Sequence, residues 1–153
     1  MFAVVLLPNF RLQAALRFRG ELHALPVALI DPHEPKSGVL EINDAAAAAG
    51  VSAGQTATQA LARCPSLTII PRSPAQEQAA QSALIEISGT LSPEVEATAD
   101  GFCTVSLRAS RETNWQTLGE LIIAGLAALS LTAQFGVAAN PDLAFIAARQ
   151  DRK

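Results

Sequence analysis

Charge is scarce in this chain, and what there is leans acidic. Only 16% of the 153 residues are Asp, Glu, Lys or Arg, and 11 basic side chains face 14 acidic ones, a net charge of −3. A protein that grips nucleic acid alone normally carries a basic face, because neutralising phosphate supplies most non-specific affinity. Here Arg11, Arg17 and Arg19 form the one tight basic group, so weak or no DNA binding by this chain alone is expected. Long apolar runs are missing too. A spanning helix needs ~20 consecutive apolar residues. The best stretch, LGELIIAGLAALSL at 118–131, is shorter and carries Glu120, so no membrane partner is expected. The opening MFAVVLLPNF has no basic segment or small-residue cleavage site and reads as a buried strand, not a secretion signal. Cysteine is limited to Cys64 and Cys103, which show no zinc spacing to each other or to His23 and His33. Free thiols in a cytoplasmic protein are the simplest reading.

Hydrophobic residues, by contrast, make up 50% of the chain. That excludes disorder and is enough for one cored domain, or one domain plus a small lobe. FAVVLL (2–7) is a continuous apolar run, as in a strand covered on both faces. FRLQAALRFRG reads as a short helix closed by Gly20, and PVALID and GVLEIN as two strands around the polar loop PHEPKS. Asn43 or Asp44 can cap the alanine-rich helix that Gly50 ends. A second small helix runs from about Gln55 to Arg63, and LTIIP is a strand. Ser73 and Pro74 start the next helix as N-cap and first helical residue. EVEAT and GFCTVSL form a hairpin, NWQTLGELIIAGLAALSL a long helix, TAQFGVA a strand, and Asn140–Pro141 begins the closing helix. The order is an α+β pattern.

The hairpin raises a chemical question. Glu94 and Glu96 share a strand face at period two, and Asp100 stands beside Gly101. Acids grouped at a turn suit a magnesium site; equally, an Asp before a turn glycine forms local bonds, and alternating acids face solvent.

Several stretches together resemble one family. GVLEINDAAAAAGVSAGQTATQALARCPSLTIIP is similar to the palm-to-fingers segment of Y-family translesion DNA polymerases. LSPEVEATADGFCTVSL resembles their carboxylate hairpin, LTAQFGVAANPDLAFIAAR their later strand-turn-helix, and FAVVLLPNFRLQAALR their first strand with its metal motif. The resemblance implies a polymerase palm with a βαββαβ-like antiparallel sheet and a small helical fingers lobe. The palm would span 1–43 and 75–153 and the fingers 44–74, with the family's thumb and little-finger domains absent from this chain.

At the matched positions the family's chemistry is depleted. Nucleotidyl transfer uses two Mg²⁺ ions about 3.5–4 Å apart, held by carboxylates on neighbouring strands. Leu6 stands where the first-strand Asp belongs and Pro8 at that motif's second Asp. Asp100 matches the hairpin Asp, and Gly101 replaces the adjoining Glu. The fingers Tyr and Arg that hold the triphosphate correspond to Asp44 and Ala47, and two lysines to Pro141 and Phe145. An acid in place of an aromatic and an alanine in place of a cation repel or ignore a triphosphate. Turn and core positions (Gly50, Gly54, Cys64–Pro65, Val95–Glu96, Gly136–Val137) match.

The profile is similar to the inactive, ImuB-type member of DNA-damage mutagenesis cassettes. It implies a non-catalytic scaffold with no cofactor, Mg²⁺ being expected only if the chain is active. The implied partners are an error-prone replicative-type polymerase, the recombinase, the sliding clamp and a small accessory mutagenesis protein. An active polymerase domain, using Glu94 with Asp100, is the second reading. An unrelated α+β small-molecule binding domain is the third.

Overall fold

The apolar run at the start forms β1 (Phe2–Leu6), with Ala3, Val4 and Val5 fully buried. In the computed structural model, which describes residues 1–150, β1 sits inside a four-stranded sheet. The other strands are β5 (Val95–Ala99), β6 (Phe102–Ser106) and β7 (Gln134–Ala138). The order is β5-β6-β1-β7 and every pairing is antiparallel. This sheet belongs to one of two compact units, made of Met1–Pro8 and the chain from Gln78 onward. The last helix, α6 (Pro141–Gln150), covers one face, where Val4, Ala144 and Ala148 are buried together. Gly136 permits this approach. A Cβ there would run into the Ala148 amide nitrogen and the Ala144 carbonyl oxygen. The long helix α5 (Trp115–Ala128) meets the opposite face, with Gly119 against the Phe135 ring. Successive strand residues point to opposite faces, so Phe135 and Gly136 serve different helices.

The second unit spans Asn9–Glu77. It holds α1 (Phe10–Leu16), β2 (Val27–Ile30), β3 (Val39–Ile42), α2 (Asp44–Ala48), α3 (Ala57–Arg63) and β4 (Thr68–Pro71). Its sheet runs β3-β2-β4, with β2 antiparallel to β3 and parallel to β4. Alternation along β2 splits the core in two. Ala28 packs with Ala46, Val51, Ala60 and Cys64 from the α2–α3 segment, while Val27 and Leu29 pack with Leu12, Ala15 and Leu16 of α1. The lobe expected to be helical therefore lies in a unit with its own three-stranded sheet. Helix α4 (Pro74–Ser88) gives its first turn to this unit and the remainder to the other.

Most helix starts follow side-chain chemistry. Asn43, not Asp44, caps α2: its Oδ1 accepts the Ala46 and Val27 amides and its Nδ2 donates to the Leu25 carbonyl. Thr56 and Gln59 close a capping box on α3. Ser73, Asn114 and Asn140 cap α4, α5 and α6. One expected end is wrong. Helix α1 stops at Leu16, not at Gly20, because the Leu16 carbonyl accepts the Arg19 amide and lies 3.0 Å from a His23 ring nitrogen, and Gly20 opens a separate 3₁₀ turn. In the alanine run only Ala46 is fully buried; Ala47, Ala48 and Ala49 are exposed.

Candidate functional site

The hairpin turn is set by Asp100 and Gly101. Ala99 pairs with Phe102, the ladder shifts between Ala97 and Ala99, and Gly101 takes a φ of 71°. That left-handed value costs glycine little and any side chain more. The turn is then fastened twice. Leu7 donates its amide to the Gly101 carbonyl at 2.8 Å, which brings the end of β1 to the turn. Gln81 of α4 accepts the Gly101 amide at 2.7 Å and donates to the Ala99 carbonyl at 3.3 Å. Leu6 lies across from Phe102 on one side and Gln134 on the other.

Leu6, Asp100 and Gly101 are thus brought together at one end of the sheet. Asp100 is exposed, and so are Glu94, just before β5, and Glu96 on β5, an edge strand of this sheet. Phe145 joins from α6. Its ring meets Phe102 at 5.1 Å and 51°, and the Arg149 guanidinium lies 5.7 Å from its centroid. Pro141 does not join them, because α6 starts three residues past Ala138, the partner of Phe2 at the other end of β1. Asp44 and Ala47 are exposed on α2 in the second unit. Asp44 occupies the first turn, where the helix dipole favours an acid.

This end of the sheet does not fit a pair of magnesium ions. Mg²⁺ needs hard oxygen ligands in near-octahedral geometry. Leu6, Gly101 and Phe145 offer no side-chain oxygen, and Asp100 is the one carboxylate of the group. Among the described residues, no three His, Cys, Asp or Glu side chains gather as a metal site. Apolar and aromatic packing stands there instead: Phe102 and Phe145 against the Val4–Ala144–Ala148 core.

A charged cluster in the second unit was not legible in the sequence. Glu77, 7% exposed, takes a 2.7 Å bond from Arg72, which also lies 3.7 Å from Asp31, while Arg11 lies 3.8 Å from the other Glu77 oxygen. Glu41 on β3 belongs to the same neighbourhood. Its carboxylate accepts the Leu12 and Arg11 amides at the first turn of α1. Burial pushes its pKa up, Glu77 adds to the rise, and those amides and the Arg11 charge oppose it. No sequence spacing joins Arg11, Asp31, Glu41, Arg72 and Glu77; only the fold does.

An antiparallel sheet carrying helices on both faces matches the fold of the Y-family polymerase palm. The chain superposes on the insertion ternary complex of Dbh DNA polymerase with a TM-score of 0.84 and 21% identity, covering 100% of this chain and 47% of that one. The post-insertion binary complex of Dbh gives 0.86 and 21%, covering 100% and 46%. DinB from Sulfolobus solfataricus gives 0.83 and 20%, also covering 100% and 46%. The chain spans about half the length of these structures. Residues 5–149 match the impB/mucB/samB family, to which the chain belongs. No curated protein matches it. Family membership sets aside the reading as an unrelated binding domain.

Proposed function

We propose that this chain is a non-catalytic Y-family-polymerase-like scaffold in DNA-damage-induced translesion synthesis and mutagenesis. The observation that carries the reading is the meeting of Leu6, Gly101 and the Phe102–Phe145 pair at the sheet end. A transferase needs oxygens there, and the chain supplies hydrocarbon and an αL glycine. Exposed Asp44 and Ala47, in place of the family's triphosphate grips, support the same reading. So does the net charge of −3, which disfavours independent DNA binding.

On this reading the palm-like part is 1–43 with 75–153, the fingers-like part is 44–74, and the chain acts in the cytoplasm. It works by holding partners: an error-prone replicative-type polymerase, the recombinase, the sliding clamp and a small accessory protein. The test is Mn²⁺ titration into isotope-labelled protein with and without a deoxynucleoside triphosphate. The scaffold reading expects no localised line broadening at millimolar metal. Broadening centred on Asp100 and Glu96, strengthened by the nucleotide, would establish a working metal site and remove it.

A further inference from the structure

Of the one tight basic group in the sequence, Arg11 goes to the Glu77 cluster, while Arg17 and Arg19 flank Phe18 in the turn that follows α1. Phe18 is 74% exposed, more than any other large apolar side chain among the described residues. The Arg17 guanidinium lies 5.0 Å from its ring centroid. The turn that presents the ring is bonded throughout. The Leu16 carbonyl accepts the Arg19 amide at 2.9 Å, the Arg19 carbonyl accepts the Leu22 amide at 3.0 Å, and the Gly20 carbonyl accepts the His23 amide at 3.3 Å. An aromatic ring held out on such a turn meets a partner at little further cost in ordering.

Arg19 also lines a cavity of about 450 Å³ bordered by α1 and the start of α4, together with Ala15, Arg72, Ser73 and Gln76. Both charged lining residues, Arg19 and Arg72, are basic. Arg72 is answered by Asp31 and Glu77. Arg19 has no acid within ion-pair distance among the described residues. The cavity therefore carries a positive charge that the fold leaves unanswered, one residue along the chain from an exposed aromatic ring.

We propose that this turn and cavity form a docking site for a short acidic segment of a partner protein, one in which a carboxylate stands beside apolar side chains. The carboxylate enters the cavity against Arg19, and a neighbouring apolar side chain packs on Phe18. Aromatic and arginine side chains are the types enriched at protein interfaces. The surroundings favour a lone carboxylate over a nucleic-acid strand. Glu21 is exposed two residues beyond Arg19, and Asp31 and Glu77 stand against Arg72. A polyanion would meet these acids along its length, whereas one carboxylate needs only the cavity. All of these residues belong to the second unit, so the site stands whether or not the sheet end of the first binds metal.

The probe is an end-capped Ser-Leu-Glu-Leu-Ser peptide added to isotope-labelled protein, with amide shifts followed residue by residue. At millimolar peptide, shifts should be confined to the segments 15–23 and 71–77. Replacing the peptide's glutamate by glutamine should weaken binding several-fold. Arg19→Glu, an exposed change, should weaken the acidic peptide by about tenfold and favour a lysine-bearing version instead. Phe18→Ser should weaken both versions alike, and unchanged melting temperatures would show that either variant still folds. The proposal is overturned if the acidic peptide moves none of these amides, if the glutamine peptide binds equally well, or if Arg19→Glu leaves the preference unchanged. It is equally overturned if an oligothymidylate moves the same amides at lower concentration than the peptide does, or if they shift with protein concentration alone, which would make the occupant a second copy of this chain.

Discussion

Glu41 shows how one carboxylate can do a helix cap's work from another element. Asn9 precedes α1 but lies in the left-handed region (φ 49°) and makes no side-chain cap bond; its Nδ2 donates to the Ile42 carbonyl at 3.3 Å instead. The first-turn amides of α1 go to Glu41. Because burial holds the folded-state pKa of Glu41 above its ordinary value, its neutral form is the one the fold favours. That stabilisation is complete below the ordinary carboxylate range and is lost as pH rises through the raised value. Glu41→Gln keeps an acceptor oxygen without charge, so its melting temperature near neutral pH should equal or exceed that of the parent, with a flatter profile between acid and neutral pH. Glu41→Ala loses the acceptor and should cost about 1 kcal/mol. A Gln variant that melts well below the parent at neutral pH would show the charge itself to be required. Arg72 is the complementary case. Removing it alone leaves the buried Glu77 without its 2.7 Å partner, and Arg72→Ala should lose on the order of 3 kcal/mol in denaturant unfolding. The double change Arg72→Leu, Glu77→Leu removes both charges and should recover most of that loss.

At the scale of elements, β7 and α6 meet with no spare room. Gly136→Ala places a methyl against the backbone of Ala144 and Ala148, which cannot yield without moving α6. A loss of about 3 kcal/mol is expected, with faster amide exchange in α6. Gly20→Ala, where a Cβ meets nothing within 4 Å, should change stability by less than about 0.5 kcal/mol. Neither residue's role could be told from the sequence, where both are glycines near helices. The order of strands and helices was legible, because β1 reads as an unbroken apolar run and Ser73, Asn114 and Asn140 mark three helix starts. Pairing at a distance was not. β2 joins β4 in parallel across two helices, and nothing local in VALI or TIIP names the partner. The candidate site was legible in part: Leu6, Asp100 and Gly101 converge, but Pro141 lies at the opposite strand end, and Gln81, whose two bonds fix the turn, gave no signal. A glutamine in a helix becomes informative only once the fold aims it.

For the whole molecule, ligand linkage gives a readout that does not depend on locating any site. A ligand that binds only the folded state, present at about 100 times its dissociation constant, adds roughly 2.7 kcal/mol. In a protein of this size such a gain raises the melting temperature by several degrees. On the proposed scaffold reading, in which Asp44 and Ala47 stand at the positions matched to the family's triphosphate grips and the sheet end offers Asp100 alone, the chain should gain nothing comparable. Magnesium with saturating deoxynucleoside triphosphate is therefore expected to leave the melting temperature unchanged within a degree or so. The same holds for a short primer–template duplex at physiological salt, since a net charge of −3 brings little counterion release. The contrast between the two ligands carries the information. A rise with nucleotide and metal together, absent with either alone, would mean that a triphosphate site survives in the fold despite Leu6 and Gly101. A rise with DNA alone that disappears as salt increases would instead place a phosphate-binding face on the chain, outside the sheet end and compatible with a scaffold.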